Sequence, residues 1–121
     1  MRALIVDDSR TMRMIIGKII KELGYEISEA GNGLEALLRL DEIGTPDLML
    51  VDWNMPEMNG FDFLLAVRAN PQHANARVIM VTTESELSQI AKALEAGANE
   101  YVMKPFTKEV IHEKLAILGV S

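Results

Sequence analysis

Four short apolar runs divide the chain at wide intervals: Ala3-Leu4-Ile5-Val6, Leu48-Met49-Leu50-Val51, Val78-Ile79-Met80-Val81 and Tyr101-Val102-Met103. Unbroken runs of this length suit strands covered on both faces, as in a parallel sheet. Tyr25 to Ala30 alternates weakly and reads as one more strand. Between the strands lie longer stretches of helical period. Met12, Ile15, Ile16, Ile19, Ile20 and Leu23 mark a first helix that Gly24 closes, with Asp8 or Ser9 able to cap its start. Leu34, Leu37 and Leu38 mark a second, stopped near Gly44-Thr45-Pro46. Phe61, Leu64 and Leu65 mark a third, which ends before Pro71. Leu87, Ile90, Ala91 and Leu94 form the cleanest stripe, predicted to face the core and to leave Gln89, Lys92 and Glu95 outside. Ile111, Leu115 and Leu118 line the last helix, and Asn70 to Asn75 reads as a polar loop. Five strands alternating with five helices predict an α/β doubly wound fold, a five-stranded parallel sheet with helices on both faces.

A chain of 121 residues fits a single domain over 1–121. With 49% hydrophobic and 25% charged residues, disorder is not expected. There is no cysteine, which excludes disulfides, thiolate metal sites and a cysteine nucleophile. The net charge of −6 and the lack of a basic cluster argue against nucleic-acid binding. No apolar stretch is long enough to span a membrane, and the start is too short for a signal peptide, so a cytoplasmic location is expected.

The functional signal lies where polar residues fall relative to the strands. Asp7 and Asp8 follow the first strand, Asp52 the third, Thr82 and Thr83 the fourth, and Lys104 the fifth. Ligands of open parallel sheets bind beyond the carboxyl ends of the strands, so these residues converge on one crevice. Clustered carboxylates repel one another unless a hard cation joins them, and Mg²⁺ takes such oxygens. A carbonyl just after Asp52 could add a further oxygen ligand. Lys104 and the Thr82 hydroxyl could face phosphoryl oxygens while the Asp52 carboxylate serves as nucleophile.

Each residue also has a purely structural role available. Asp7 and Asp8 could cap a helix, Asp52 could be a loop carboxylate, and Thr82 and Thr83 could cap the fourth helix. Lys104 could be a solvated charge before a helix that starts at Pro105. Convergence of all of them on one edge favours the phosphoryl-transfer reading. His73 and His112 are read as structural residues near a loop or a helix surface.

Val6-Asp7-Asp8-Ser9, Val51-Asp52-Trp53-Asn54-Met55-Pro56, Val81-Thr82-Thr83-Glu84 and Tyr101-Val102-Met103-Lys104-Pro105-Phe106 together resemble the bacterial response-regulator receiver domain, in particular its single-domain chemotaxis type. The resemblance runs from Met1 to about Leu118. It implies strand order 2-1-3-4-5 and a receiver domain with no output domain. It implies that Asp52 is the phosphoacceptor and that Asp7 and Asp8 hold Mg²⁺, one directly and one largely through water. The Asn54 carbonyl would be a further metal ligand. Lys104 would pair with the phosphoryl group, and its bond to Pro105 would be cis. Thr82 would be the switch hydroxyl, and Tyr101 the aromatic that moves in behind it. Asn54 and Glu84 would tune access of the hydrolytic water, and Trp53 beside the acceptor fits the same short-lived type. The segment Gln72 to Ala76 and the acidic residues Glu84 and Glu86 depart from the chemotaxis pattern.

The implied partners are a histidine kinase, an effector such as a flagellar motor switch component, and a phosphatase as a further candidate. The outer face would comprise the fourth helix, fifth strand and fifth helix. Two roles within the same chemistry stay open, a phosphorelay intermediate and a phosphate sink. A phosphorylation-independent binding module is a third reading. A phosphatase of the haloacid dehalogenase type is a fourth, weakened because Asn54 stands where that chemistry needs a second aspartate.

Overall fold

The computed structural model describes residues 1–119, apart from the side chains of Glu84 and Ser85. The elements run β1 (Arg2–Val6), α1 (Arg10–Glu22), β2 (Glu26–Ala30), α2 (Gly33–Ile43), β3 (Leu48–Asp52), α3 (Gly60–Ala69), β4 (Arg77–Thr82), α4 (Ile90–Glu95), β5 (Glu100–Met103) and α5 (Lys108–Leu118). Short 3₁₀ turns at Pro71–His73 and Glu84–Gln89 precede β4 and α4. The strands form one sheet in the order β2-β1-β3-β4-β5, every neighbouring pair parallel. The α/β doubly wound architecture and its strand order are therefore as expected.

Period-2 alternation divides the core between the two faces of the sheet. Leu4, Val6, Met49, Val51, Val78 and Met80 point to the side covered by Ala36 and Leu40 of α2, Phe63 and Val67 of α3, and Ala93 of α4. Ala3, Ile5, Leu48, Leu50, Ile79 and Val81 point to the side covered by Ile16 and Ile20 of α1 and Ile111 and Leu115 of α5. The β3 run is buried throughout, which is why it carries no alternation of its own.

The helix termini follow their local chemistry. Side chains of Ser9, Asn32, Asn59 and Thr107 accept a backbone N–H at the starts of α1, α2, α3 and α5. Ser9, rather than Asp8, caps α1. Gly60 opens α3 against β3; a Cβ there would lie 2.2 Å from the Asp52 carbonyl oxygen.

One expectation needs correction. Of the Leu87, Ile90, Ala91 and Leu94 stripe only Ile90 meets the core: Leu87 is 39% and Leu94 41% exposed, and Ala91 is also exposed. Thr83 caps a 3₁₀ turn over Glu84–Gln89, and that tighter winding resets the phase before the α-helix begins. Ile90 and Ala93, one turn apart, become the buried pair. Gln89, Lys92 and Glu95 are exposed as expected. His73 has the structural role expected of it. It is buried within the 70–75 segment, its Nδ1 2.6 Å from Thr45 Oγ1. Arg68 closes that end of the molecule by donating to Gly97, His73 and Ala76 carbonyls and to Asn99 Oδ1.

Candidate functional site

At the carboxyl edge of the sheet, β1, β3, β4 and β5 deliver Asp7, Asp52, Thr82 and Lys104 to one notch. Asp7 continues from β1, its N–H bonded to the Ala30 carbonyl at 3.1 Å. Its Oδ1 accepts the Ser9 N–H at 2.8 Å, which fixes the carboxylate against the start of α1. Arg13 donates to the Asp7 carbonyl at 2.6 Å while its Nε pairs with Glu29 at 2.9 Å. The Asp7 backbone is thus held from two sides.

Asp52 is the last residue of β3, beside Val81 of β4. The next residue, Trp53, bonds through its N–H to Val81 O at 3.0 Å and through its carbonyl to the Gly60 N–H at 2.9 Å. Because Gly60 has no side chain, α3 can start against this turn and hold the Asp52 side chain in the notch. Lys104 follows β5, its N–H on the Thr82 carbonyl. Its Nζ reaches Asp52 Oδ1 at 3.0 Å and Asp7 Oδ2 at 3.4 Å. The Lys104–Pro105 peptide bond is cis, as the resemblance implies.

Asp7 is 1% and Asp52 6% exposed, whereas Asp8 is open to solvent. Oxygens from all three carboxylates lie within 4.8 Å of one another. Burial is the main reason that Asp52 is pushed up to about 6; the charges of Asp7 and Asp8 add to it, and Lys104 opposes it. Burial disfavours the Lys104 charge, but the bonds and charges of Asp52 and Asp7 outweigh it and raise its pKa. One ammonium thus faces three clustered acids and leaves the notch short of positive charge. Hard carboxylate oxygens at this spacing fit a small divalent cation, and the acidic cluster is compatible with a metal site.

The remaining sequence candidates divide. Thr82 is fully buried at the end of β4, but its hydroxyl is directed to Glu86 Oε1 and the Thr83 carbonyl, each at 3.2 Å. Tyr101 is half-buried against the α2–α3–α4 side of the core, with Lys114 Nζ 4.8 Å from its ring centroid. Asn54 is exposed in the loop leaving β3. The Glu84 side chain lies outside the described residues.

Three contributors were not recognised as parts of the site in the sequence. Arg13 braces Asp7, Gly60 admits α3 beneath Asp52, and Glu86 receives the Thr82 hydroxyl. Glu86 did have a signal: Thr83-Glu84-Ser85-Glu86 has the spacing of a capping box. Arg13 and Gly60 act across the fold and have no local signature.

Comparison with known proteins agrees with this geometry. The family model of the response regulator receiver domain matches residues 3–116. The chain is 46% identical to "Chemotaxis protein CheY1" of Helicobacter pylori strain J99, over all of this chain and 99% of that protein. Identity to "Chemotaxis protein CheY" of Pseudomonas aeruginosa PAO1 is 47%, over 95% of this chain and 93% of that one. The crystal structure of the chemotaxis response regulator CheY4 of Vibrio cholerae superposes with a TM-score of 0.87 at 32% identity, covering 97% of each chain. This chain, with its acids, lysine and threonine gathered at one sheet edge, belongs to the response regulator receiver domain family.

Proposed function

We propose that the domain takes a phosphoryl group on Asp52 from a histidine kinase and reports it by changing the surface around α4, β5 and α5. The observation that carries this reading is the position of Lys104 Nζ, bonded to Asp52 and Asp7 in a notch that also holds Asp8.

Asp7, Asp8 and Asp52 would hold Mg²⁺, with the Asn54 carbonyl as a further oxygen. When bound, Mg²⁺ offsets the negative charge of the carboxylates and of the incoming phosphoryl oxygens. An Asp52 carboxylate oxygen attacks the phosphorus of the donor phosphohistidine. The P–N bond breaks, and its electron pair stays on the imidazole. Lys104 stays within reach and balances the charge spread over the equatorial oxygens. Asp52 needs no base, because the ionised carboxylate is itself the nucleophile.

The Thr82 hydroxyl then turns to a phosphoryl oxygen, and Tyr101 moves into the space behind it. Asn54 and Glu84 set the access of water to the acyl phosphate and hence its lifetime. A few kcal/mol of differential interaction suffices for such a population shift. Effector docking is favoured by the exposed apolar side chains Leu87, Leu94 and Met103, together with the exposed charged residues Lys92 and Glu95 of α4. By analogy with its chemotaxis relatives, the effector is a flagellar motor switch component. A relay or sink role would use the same pocket with a histidine phosphotransfer partner instead.

The test is incubation with a small phosphodonor such as acetyl phosphate, read by intact mass. The parent should gain one phosphoryl group only with Mg²⁺, and Asp52→Asn should gain none. Equal labelling of that variant would overturn the assignment. Pulldown of the motor switch component with and without beryllium trifluoride separates the chemotaxis role from the others.

A further inference from the structure

We propose that Glu86 is a positioning residue that holds the Thr82 hydroxyl in its resting orientation and thereby sets how readily the domain switches. The inference rests on the phosphoacceptor reading above and concerns the regulation of the same site.

Thr82 is fully buried, so its hydroxyl proton must go to an acceptor within the protein. Among the described residues, the acceptors within its reach are the neighbouring Thr83 carbonyl and Glu86 Oε1, each at 3.2 Å. A hydroxyl has one proton, and an ionised carboxylate is the stronger acceptor. The same Glu86 oxygen takes the Thr83 N–H at 2.9 Å and the Thr83 hydroxyl at 3.2 Å. Glu86 is in turn fixed by its own N–H, which donates to the Thr83 carbonyl at 3.0 Å. The capping box therefore holds the carboxylate in place whether or not Thr82 bonds to it. That makes it a fixed competitor for the Thr82 proton.

A phosphoryl group on Asp52 brings near-dianionic charge and three acceptor oxygens. To reach it, the Thr82 hydroxyl must leave Glu86, while Glu86 keeps both Thr83 donors. The exchange costs the resting state one charge-assisted bond. It also removes one bond between the end of β4 and the 3₁₀ turn that carries Gln89 and leads into α4, which carries Lys92 and Glu95. Glu86 thus couples the pocket to the outer face, and its removal should favour the switched arrangement.

The experiment is equilibrium titration with beryllium trifluoride in saturating Mg²⁺, followed by Trp53 fluorescence. Parent, Glu86→Ala, Glu86→Gln, Thr82→Val and the double variants are compared, with melting curves to confirm folding. Glu86→Ala should bind the probe about tenfold more tightly, the size of one such bond. Glu86→Gln keeps an acceptor for Thr83 but loses the charge, so it should fall between. In the Thr82→Val background both Glu86 substitutions should have no effect, because the bond they relieve is already gone. Equal affinity of the parent and both Glu86 variants would overturn the proposal. So would the same gain with and without the Thr82 hydroxyl, which would assign Glu86 to general electrostatics. Failure of the parent itself to bind the probe would instead overturn the phosphoacceptor reading. If Glu86→Ala does not fold, the Glu86→Gln and Thr82→Val pair decides the matter alone.

Discussion

Asp52→Asn should stabilise the metal-free protein, and the gain should grow with pH. In the folded state burial and the neighbouring acids raise Asp52 from 3.8 to about 6. A folded state that holds the proton more tightly is favoured at low pH. The contribution of this group to stability is full below 3.8 and is lost as pH rises through about 6. The difference of roughly 2 pH units, at 1.36 kcal/mol each, sets a ceiling near 3 kcal/mol. The attraction of Lys104 is already inside that net value. Solvent at the open, Asp8 side of the notch screens part of the repulsion, leaving about 1–2 kcal/mol at neutral pH. For a domain of this size that is an increase in Tm of roughly 4–8 °C. The assay is urea unfolding of parent and variant in EDTA, from about pH 4 to about pH 8. The variant's advantage should be small at the acidic end and largest at the alkaline end. Adding Mg²⁺ should stabilise the parent more than the variant and narrow the gap, because a ligand of the folded state adds to stability by mass action. A variant less stable than the parent at neutral pH without metal, or a gap independent of pH, would refute the reasoning.

Further predictions address other parts of the site and the fold. Lys104→Ala removes the ammonium that competes with a cation, so Mg²⁺ should bind roughly fivefold more tightly by Trp53 fluorescence while phosphoryl labelling falls. Gly60→Ala would place a Cβ 2.2 Å from Asp52 O. It should cost about 1–3 kcal/mol in urea unfolding and slow labelling as well. Ile90→Ala should cost about 2–4 kcal/mol and Leu94→Ala less than about 0.5, a contrast that checks which face of α4 meets the core.

Much of this was legible in the sequence because strand ends are local features. Apolar runs such as Leu48-Met49-Leu50-Val51 announce a doubly covered strand, and the residue that follows must lie at the sheet's edge. Asp7, Asp52 and Lys104 could therefore be gathered without knowing a single distance. The α4 face was not legible, because the stripe through Leu87 and Leu94 assumes α-helical winding from the start. The capping box at Thr83 instead begins with a 3₁₀ turn. The partner that buries His73 was not legible, because Thr45 stands 28 residues away. The direction of the Thr82 hydroxyl was equally hidden, since it depends on a competition between acceptors.

The most direct measurement is to locate the phosphoryl group itself. After incubation with a phosphodonor, borohydride reduction converts an aspartyl phosphate to homoserine, which peptide mass spectrometry assigns to one position. Conversion at residue 52 that requires the divalent cation and disappears in its chelator is the predicted outcome. Modification at another residue, or equal modification without metal, would contradict a notch that works by sharing its charge among acids, ammonium and cation.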